Sequence, residues 1–118
     1  MKSLFVFASI LAVASMCNKQ KSSKTADSSI PECVLHRIDE IKKLPKWSPP
    51  AEVSEYMYNG KKVYLFTADC CDQFIILADD ACNPVCAPSG GITGKGDGKC
   101  PDFDEKAQLL RVLWKDDR

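Results

Sequence analysis

Two adjacent cysteines, Cys70 and Cys71, are the residues whose types and spacing most directly suggest chemistry. Joined to each other, they would form a disulfide that exchanges with thiols, which is the chemistry of a redox switch. Alternatively, each cysteine pairs elsewhere in the chain and has a structural role. We expect the structural alternative, because the sequence has no C-x-x-C motif and its single histidine, His36, is too distant in sequence to lower a thiol pKa.

The chain contains seven cysteines, an odd number for a disulfide framework. Cys17 directly follows the predicted export signal described below and is not counted with the domain. The remaining domain cysteines form an even set: Cys33, Cys70, Cys71, Cys82, Cys86 and Cys100. Such a set predicts disulfides whose connectivity the sequence leaves open. The spacing Cys82-x-x-x-Cys86 is loose for zinc, and an exported protein favours oxidation over thiolate ligation. We therefore expect neither a metal nor another cofactor.

A glycine-rich loop is the second feature that suggests a site. Its candidate binding residues are Gly90, Gly91, Thr93, Gly94, Lys95, Gly96, Asp97 and Gly98. Glycines permit positive φ and can bring backbone N–H groups together into an anion-binding nest. The motifs G-x-x-x-x-G-K and G-x-G-x-x-G are both absent, which argues against a nucleotide site.

Two other interpretations of this loop remain open. Asp97, Asp102 and Asp104 are oxygen ligands of the kind that calcium prefers, although the EF-hand spacing is missing. The loop can also be purely structural and held by Cys100. No serine or cysteine has a recognisable histidine partner, and G-x-S-x-G does not occur. The chain is therefore not expected to be an enzyme.

The first residues have the pattern of an export signal. A basic start, Met1-Lys2, precedes an apolar run over Leu4–Val13 that is too short to span a bilayer. We predict a lipoprotein signal peptide over 1–16, with Cys17 lipidated. The alternative is an ordinary cleaved signal that leaves Cys17 as a spare thiol. Residues 17–29 are rich in Ser and Lys and predict a flexible tether. We therefore expect a lipid-anchored protein of the cell envelope, at the outer membrane and facing the periplasm.

The folded part must position these groups on few elements. Ser29-Ile30-Pro31-Glu32 has the pattern of a capping box, and Val34, Leu35, Ile38 and Ile41 recur at helical spacing until Pro45. Asn59-Gly60 between two β-rich runs predicts a hairpin that pairs Tyr58 with Lys61 and Val53 with Phe66. Further strands are expected over 73–78, 85–87 and from about Leu109, with a helical turn over 101–105.

These elements predict an α+β domain, with an N-terminal helix packed on a small antiparallel meander and stabilised by disulfides. It forms one domain over residues 30–118. The 16 basic and 16 acidic residues give zero formal net charge, which offers no electrostatic footprint for nucleic acid. A domain this small has a marginal core, so the disulfides should matter for folding.

Several spaced motifs resemble a known family. They are Pro31-Glu32-Cys33, Tyr58-x-Gly60-Lys61-x-Val63-Tyr64, Cys70-Cys71-Asp72, Asp79-x-x-Cys82-Asn83, the glycine-rich stretch from Gly90 to Phe103, and Trp114-Lys115-Asp116. Together they resemble small lipoproteins of Bacteroidetes that carry a domain of unknown function, the DUF6970-like group. The resemblance implies a secreted or lipid-anchored single domain and assigns no activity.

We therefore expect an envelope domain that acts as a non-enzymatic binding module and presents the glycine-rich loop on a rigid sheet. Its partners would be the membrane, through the N-terminal lipid, and a protein or glycan. The alternatives are a thiol-redox protein using Cys70-Cys71 and a protein whose loop is stabilised by calcium.

Overall fold

The computed structural model describes residues 30–118. The predicted signal peptide over 1–16, the lipidation residue Cys17 and the tether over 17–29 lie outside the described residues. The elements follow in the order α1 (Glu32–Lys42), β1 (Glu52–Tyr58), β2 (Lys61–Phe66), β3 (Phe74–Ala78), β4 (Pro84–Gly90), α2 (Phe103–Lys106) and β5 (Gln108–Lys115). Within residues 30–118, neither helix has the length and apolar character needed to cross a membrane.

The five strands form one antiparallel sheet in the order β4-β3-β2-β1-β5. The predicted α+β class with an antiparallel sheet is therefore confirmed. The predicted meander holds for β1 to β4 only, because β5 returns to pair with β1 at the opposite edge. This return gives a hydrogen-bonding partner to an edge of β1 that a simple meander would leave open.

The β1–β2 hairpin has the register that the Asn59-Gly60 pair predicts. Tyr58 lies opposite Lys61 and Val53 lies opposite Phe66. Both turn residues have positive φ, 50° for Asn59 and 75° for Gly60. This is the backbone conformation that a two-residue hairpin turn needs, and Asn and Gly adopt it most readily.

Helix α1 lies on one face of the sheet. Its buried residues Val34 and Ile38 belong to a core cluster with Val53, Tyr64 and Phe66. The predicted capping box does not start this helix, since Pro31 is the N-cap residue and no side chain caps the helix. Proline suits this position because its missing N–H would have had no intrahelical acceptor.

The opposite face of the sheet has its own apolar cluster, formed with α2 and the second half of the chain. Tyr58, Val63 and Leu77 pack there with Cys100 and Phe103. The Phe103 ring lies 5.4 Å from the Tyr58 ring in an edge-on arrangement. Both faces of the sheet are therefore covered, which explains why the strands have apolar residues on both sides.

The C-terminal residues hold the end of α1. Arg118 donates from Nη1 to the carbonyl oxygens of Lys42 (2.7 Å) and Leu44 (3.1 Å). It also donates to both carboxylate oxygens of Asp116, at 2.9 and 2.8 Å. The Arg118 hydrogen bond lowers the pKa of Asp116 to about 2. The carboxylate therefore orients the guanidinium, which caps the carbonyl of Lys42 at the end of α1 and that of Leu44 just beyond it.

This arrangement predicts acid sensitivity. The pKa of Asp116 is lower in the folded protein, so its ionised form adds stability above about pH 4, the usual Asp range. That contribution is lost as the pH falls toward about 2. We expect the difference in free energy of unfolding between wild type and Asp116→Asn to shrink over this interval, measured by urea denaturation. A difference that stays constant from pH 5 to pH 2 would contradict the clamp.

Candidate functional site

The glycine-rich loop is fastened to the sheet at its base. A disulfide joins Cys86 of β4 to Cys100 at the loop's end. Between them, the amide of Asp97 donates to the carbonyl of Ala87 at 2.9 Å, and the amide of Gly96 donates to the carbonyl of Gly90 at 3.0 Å. The loop therefore folds back along β4 instead of extending into solvent. Strand β4 is also longer than predicted, since it runs to Gly90.

Two of the loop's positions require glycine for steric reasons. A Cβ at Gly90 would lie 2.3 Å from the carbonyl oxygen of Gln73, and a Cβ at Gly96 would lie 2.0 Å from that of Ala87. Both residues also have positive φ, 83° and 73°. Backbone packs directly on backbone here, which fixes the position of the loop.

The tip of this loop presents an apolar side chain. Ile92 is 90% exposed, the largest value among the exposed large hydrophobic residues of the described chain. The turn beneath it is closed by a hydrogen bond from the Gly94 amide to the Gly91 carbonyl at 3.0 Å. Phe74 is 46% exposed, and its ring packs against Gly91. A Cβ added at Gly91 would lie 2.6 Å from the nearest ring atom of Phe74. We call Phe74, Gly91 and Ile92 the loop-tip surface.

The anion-nest hypothesis is not supported by the loop's hydrogen bonds. The amides that donate to acceptors within the protein are those of Gly91, Gly94, Lys95, Gly96, Asp97 and Lys99. An anion-binding nest requires such N–H groups to point together at a ligand. Five of the eight candidate residues therefore use their amides to build the loop.

The calcium hypothesis is not supported either. The carboxylate of Asp102 accepts hydrogen bonds from the Tyr58 hydroxyl at 2.6 Å and from Lys106 Nζ at 2.7 Å. The hydrogen bond from Lys106 is the main cause that lowers the pKa of Asp102, and the hydrogen bond from Tyr58 is the second. Asp97 accepts from the Lys99 amide at 3.0 Å, which likewise lowers its pKa. Within residues 30–118, no three acidic, Cys or His residues, Asp104 included, are grouped to hold a metal ion.

All six domain cysteines are in disulfides, and one pairing differs from expectation. Cys33 pairs with Cys82, Cys86 with Cys100, and Cys70 with its neighbour Cys71. The prediction that Cys70 and Cys71 each pair elsewhere is therefore wrong. The Cys33–Cys82 disulfide fastens α1 to the turn before β4, and the Cys86–Cys100 disulfide fastens the glycine-rich loop to β4. These two bonds use the other four cysteines, so Cys70 and Cys71 pair with each other.

The vicinal disulfide lies beside the glycine-rich loop. Cys70, Cys71 and Gly90 line one groove of about 430 Å³, together with Ser48 and Pro49 of the connector after α1. Nothing in the sequence indicated that the vicinal disulfide and the glycine-rich loop are neighbours. The structure brings them together because Phe74 pairs with Gly90 in the β3–β4 ladder. The start of β3 thus lies beside the end of β4.

The burial of Glu55 was not indicated by the sequence. Glu55 on β1 is only 2% exposed and contacts Lys62 at 3.5 Å and Arg111 at 3.1 Å. A glutamate in an alternating strand usually indicates a solvent-facing position. Here the two cations on neighbouring strands compensate its charge, so Glu55 links β1 to β2 and β5.

Comparison with known proteins identifies the family. The chain matches the model of a domain of unknown function, DUF6970, over residues 39–116. The chain belongs to the DUF6970 family. The DUF6970 match includes the hairpin, the vicinal disulfide and the whole glycine-rich loop. No curated protein and no solved structure matches the chain.

Proposed function

We propose that this DUF6970 domain is a non-enzymatic binding module that docks on a partner protein through the loop-tip surface. The observation that carries the proposal is the 90% exposure of Ile92 at the tip of a fixed loop. Ile92 does not stand alone, because the adjacent Gly91 packs against the ring of Phe74, which is 46% exposed. Contiguous exposed apolar surface of this kind marks interaction sites.

The loop's construction favours tight binding. Ordering a flexible loop on association costs conformational entropy, which a preformed loop avoids. This loop is ordered before any partner arrives by the Cys86–Cys100 disulfide and by the hydrogen bond from the Asp97 amide to the Ala87 carbonyl. An inhibitor-like module would use the same principle. An apolar anchor favours a protein with an apolar pocket over a glycan, whose surface is mostly hydroxyl groups.

The substitution Ile92→Glu tests this proposal. The side chain is exposed, so the variant should keep the wild-type Tm while it loses at least tenfold in partner capture from detergent-solubilised membranes of the producing cells. Val112→Glu is the matched control, because Val112 is also β-branched, is 49% exposed and lies on β5 at the opposite edge of the sheet. Equal capture by both variants, or no specific capture by wild type, would rule out the loop-tip surface as the docking site.

We further propose that the domain is a lipoprotein of the cell envelope, anchored through Cys17 and facing the periplasm. Two observations support this. Residues 1–16 have the pattern of an export signal. The six other cysteines are paired among themselves, which leaves no cysteine of the domain to pair with Cys17.

The anchor has a direct test. We expect Cys17→Ser to abolish incorporation of labelled palmitate, because the lipid would be attached to the Cys17 thiol. Cys33→Ser should keep the label, because that residue belongs to the domain. Palmitate incorporation by the Cys17→Ser variant at the wild-type level would show that the protein is anchored in another way.

A further inference from the structure

We propose that the Cys70–Cys71 disulfide is a reversible redox switch that is opened by a soluble dithiol and controls the glycine-rich loop. The first support is accessibility. Both cysteines are exposed, whereas Cys33 and Cys82 are partly buried and both cysteines of the Cys86–Cys100 disulfide are buried. Thiol–disulfide exchange requires direct approach of a thiolate to sulfur, so the exposed pair is the one that reacts first.

The second support is that the fold does not depend on this bond. It joins neighbours in sequence, whereas the other two disulfides close separations of 49 and 14 residues. A disulfide stabilises a fold mainly by restricting long loops in the unfolded chain. Opening Cys70–Cys71 therefore leaves the sheet and both long-range disulfides intact, which a reversible switch requires.

The exchange balances as a two-electron transfer. A thiolate of the dithiol attacks one Sγ of the pair, forming a mixed disulfide and releasing the other cysteine as a thiolate that takes up a proton. The second thiol of the reductant then attacks the mixed disulfide, releases the remaining cysteine and closes its own disulfide. The protein gains two electrons and two protons, and the dithiol is oxidised to a cyclic disulfide.

The third support is a direct connection from this pair to the loop. The Gln73 amide donates to the Cys70 carbonyl at 3.3 Å, and the Gly91 amide donates to the Gln73 carbonyl at 3.1 Å. Cys71 has φ of 51°, a left-handed backbone that favours Gly or Asn. Reduction of the Cys70–Cys71 disulfide allows Cys71 to leave this conformation. The change moves Gln73 and, through the hydrogen bond from the Gly91 amide, it moves Gly91 of the loop-tip surface.

Graded reduction of the purified protein with dithiothreitol tests the redox step without any partner. Free thiols are alkylated and located by mass spectrometry. We expect Cys70 and Cys71 to be labelled at reductant concentrations at least tenfold below those that label Cys86 and Cys100, and to become protected again on reoxidation. Labelling of all cysteines together, or of Cys70 and Cys71 last, would overturn the proposal.

The coupling to the loop has a separate readout. In ¹H–¹⁵N spectra, selective reduction should shift the amide signals of Gln73, Gly91 and Ile92 and leave those of the β1–β2 hairpin unchanged. The Cys70→Ser/Cys71→Ser variant should reproduce the reduced spectrum under oxidising conditions. Loop signals that do not change on reduction would refute the control of the loop. Neither measurement depends on partner binding, so failure here is distinguishable from failure of the proposed function.

Discussion

Replacing both Cys33 and Cys82 with serine should lower the free energy of unfolding by about 4 kcal/mol, the loop-closure value for their separation of 49 residues. The bond joins α1 to the turn between β3 and β4, and thereby holds the helix on the sheet. For a domain this small, such a loss is a large part of the total stability. Urea denaturation of wild type and variant, both with the other disulfides intact, measures the difference.

The matched control is the Cys70→Ser/Cys71→Ser variant. It removes the same number of sulfur atoms, but its bond spans one residue. We expect it to change the free energy of unfolding by less than about 1 kcal/mol. Similar losses for the two double variants would contradict the division into two structural disulfides and one that the fold does not require.

Gly96→Ala should have the second largest effect and should act on the loop. The new Cβ would lie 2.0 Å from the carbonyl oxygen of Ala87, at a residue with φ of 73°. The left-handed conformation and the steric overlap together should cost about 2–4 kcal/mol of unfolding free energy. The loop must also move away from β4, so the hydrogen bond from the Asp97 amide to the Ala87 carbonyl should break.

Gly94→Ala provides the control for this prediction. Gly94 also has positive φ, 72°, but a Cβ there would meet nothing within 4 Å. It should therefore cost only the backbone term, about 1–2 kcal/mol. Thermal unfolding gives the stabilities, and hydrogen exchange at Asp97 reports the broken bond. Equal losses for the two variants would mean that the loop is not packed against β4.

Local signals predicted much of the fold. Asn59-Gly60 determines the hairpin register, because a two-residue turn with positive φ leaves one pairing of the flanking strands. The return of β5 to β1 was not predictable in the same way. Its strand character depends on local residues, but its position depends on which sheet edge is open after β1 to β4 have formed.

The candidate site was only partly predictable. The glycine content located the loop, but the role of each glycine depends on what lies opposite it, such as the Ala87 carbonyl for Gly96. The pairing of Phe74 with Gly90 brings the vicinal disulfide beside the loop, and no local pattern encodes that contact. Composition likewise gave no signal that Ile92 is the exposed residue of the tip.

Backbone ¹⁵N relaxation of the oxidised protein tests the central claim most directly, namely that the loop is ordered before it binds. We predict order parameters of about 0.85 for the amides of Ile92, Thr93 and Lys95, similar to those of β1 and β2. Values below about 0.6 at the tip, with rigid strands beneath it, would contradict a preformed binding loop.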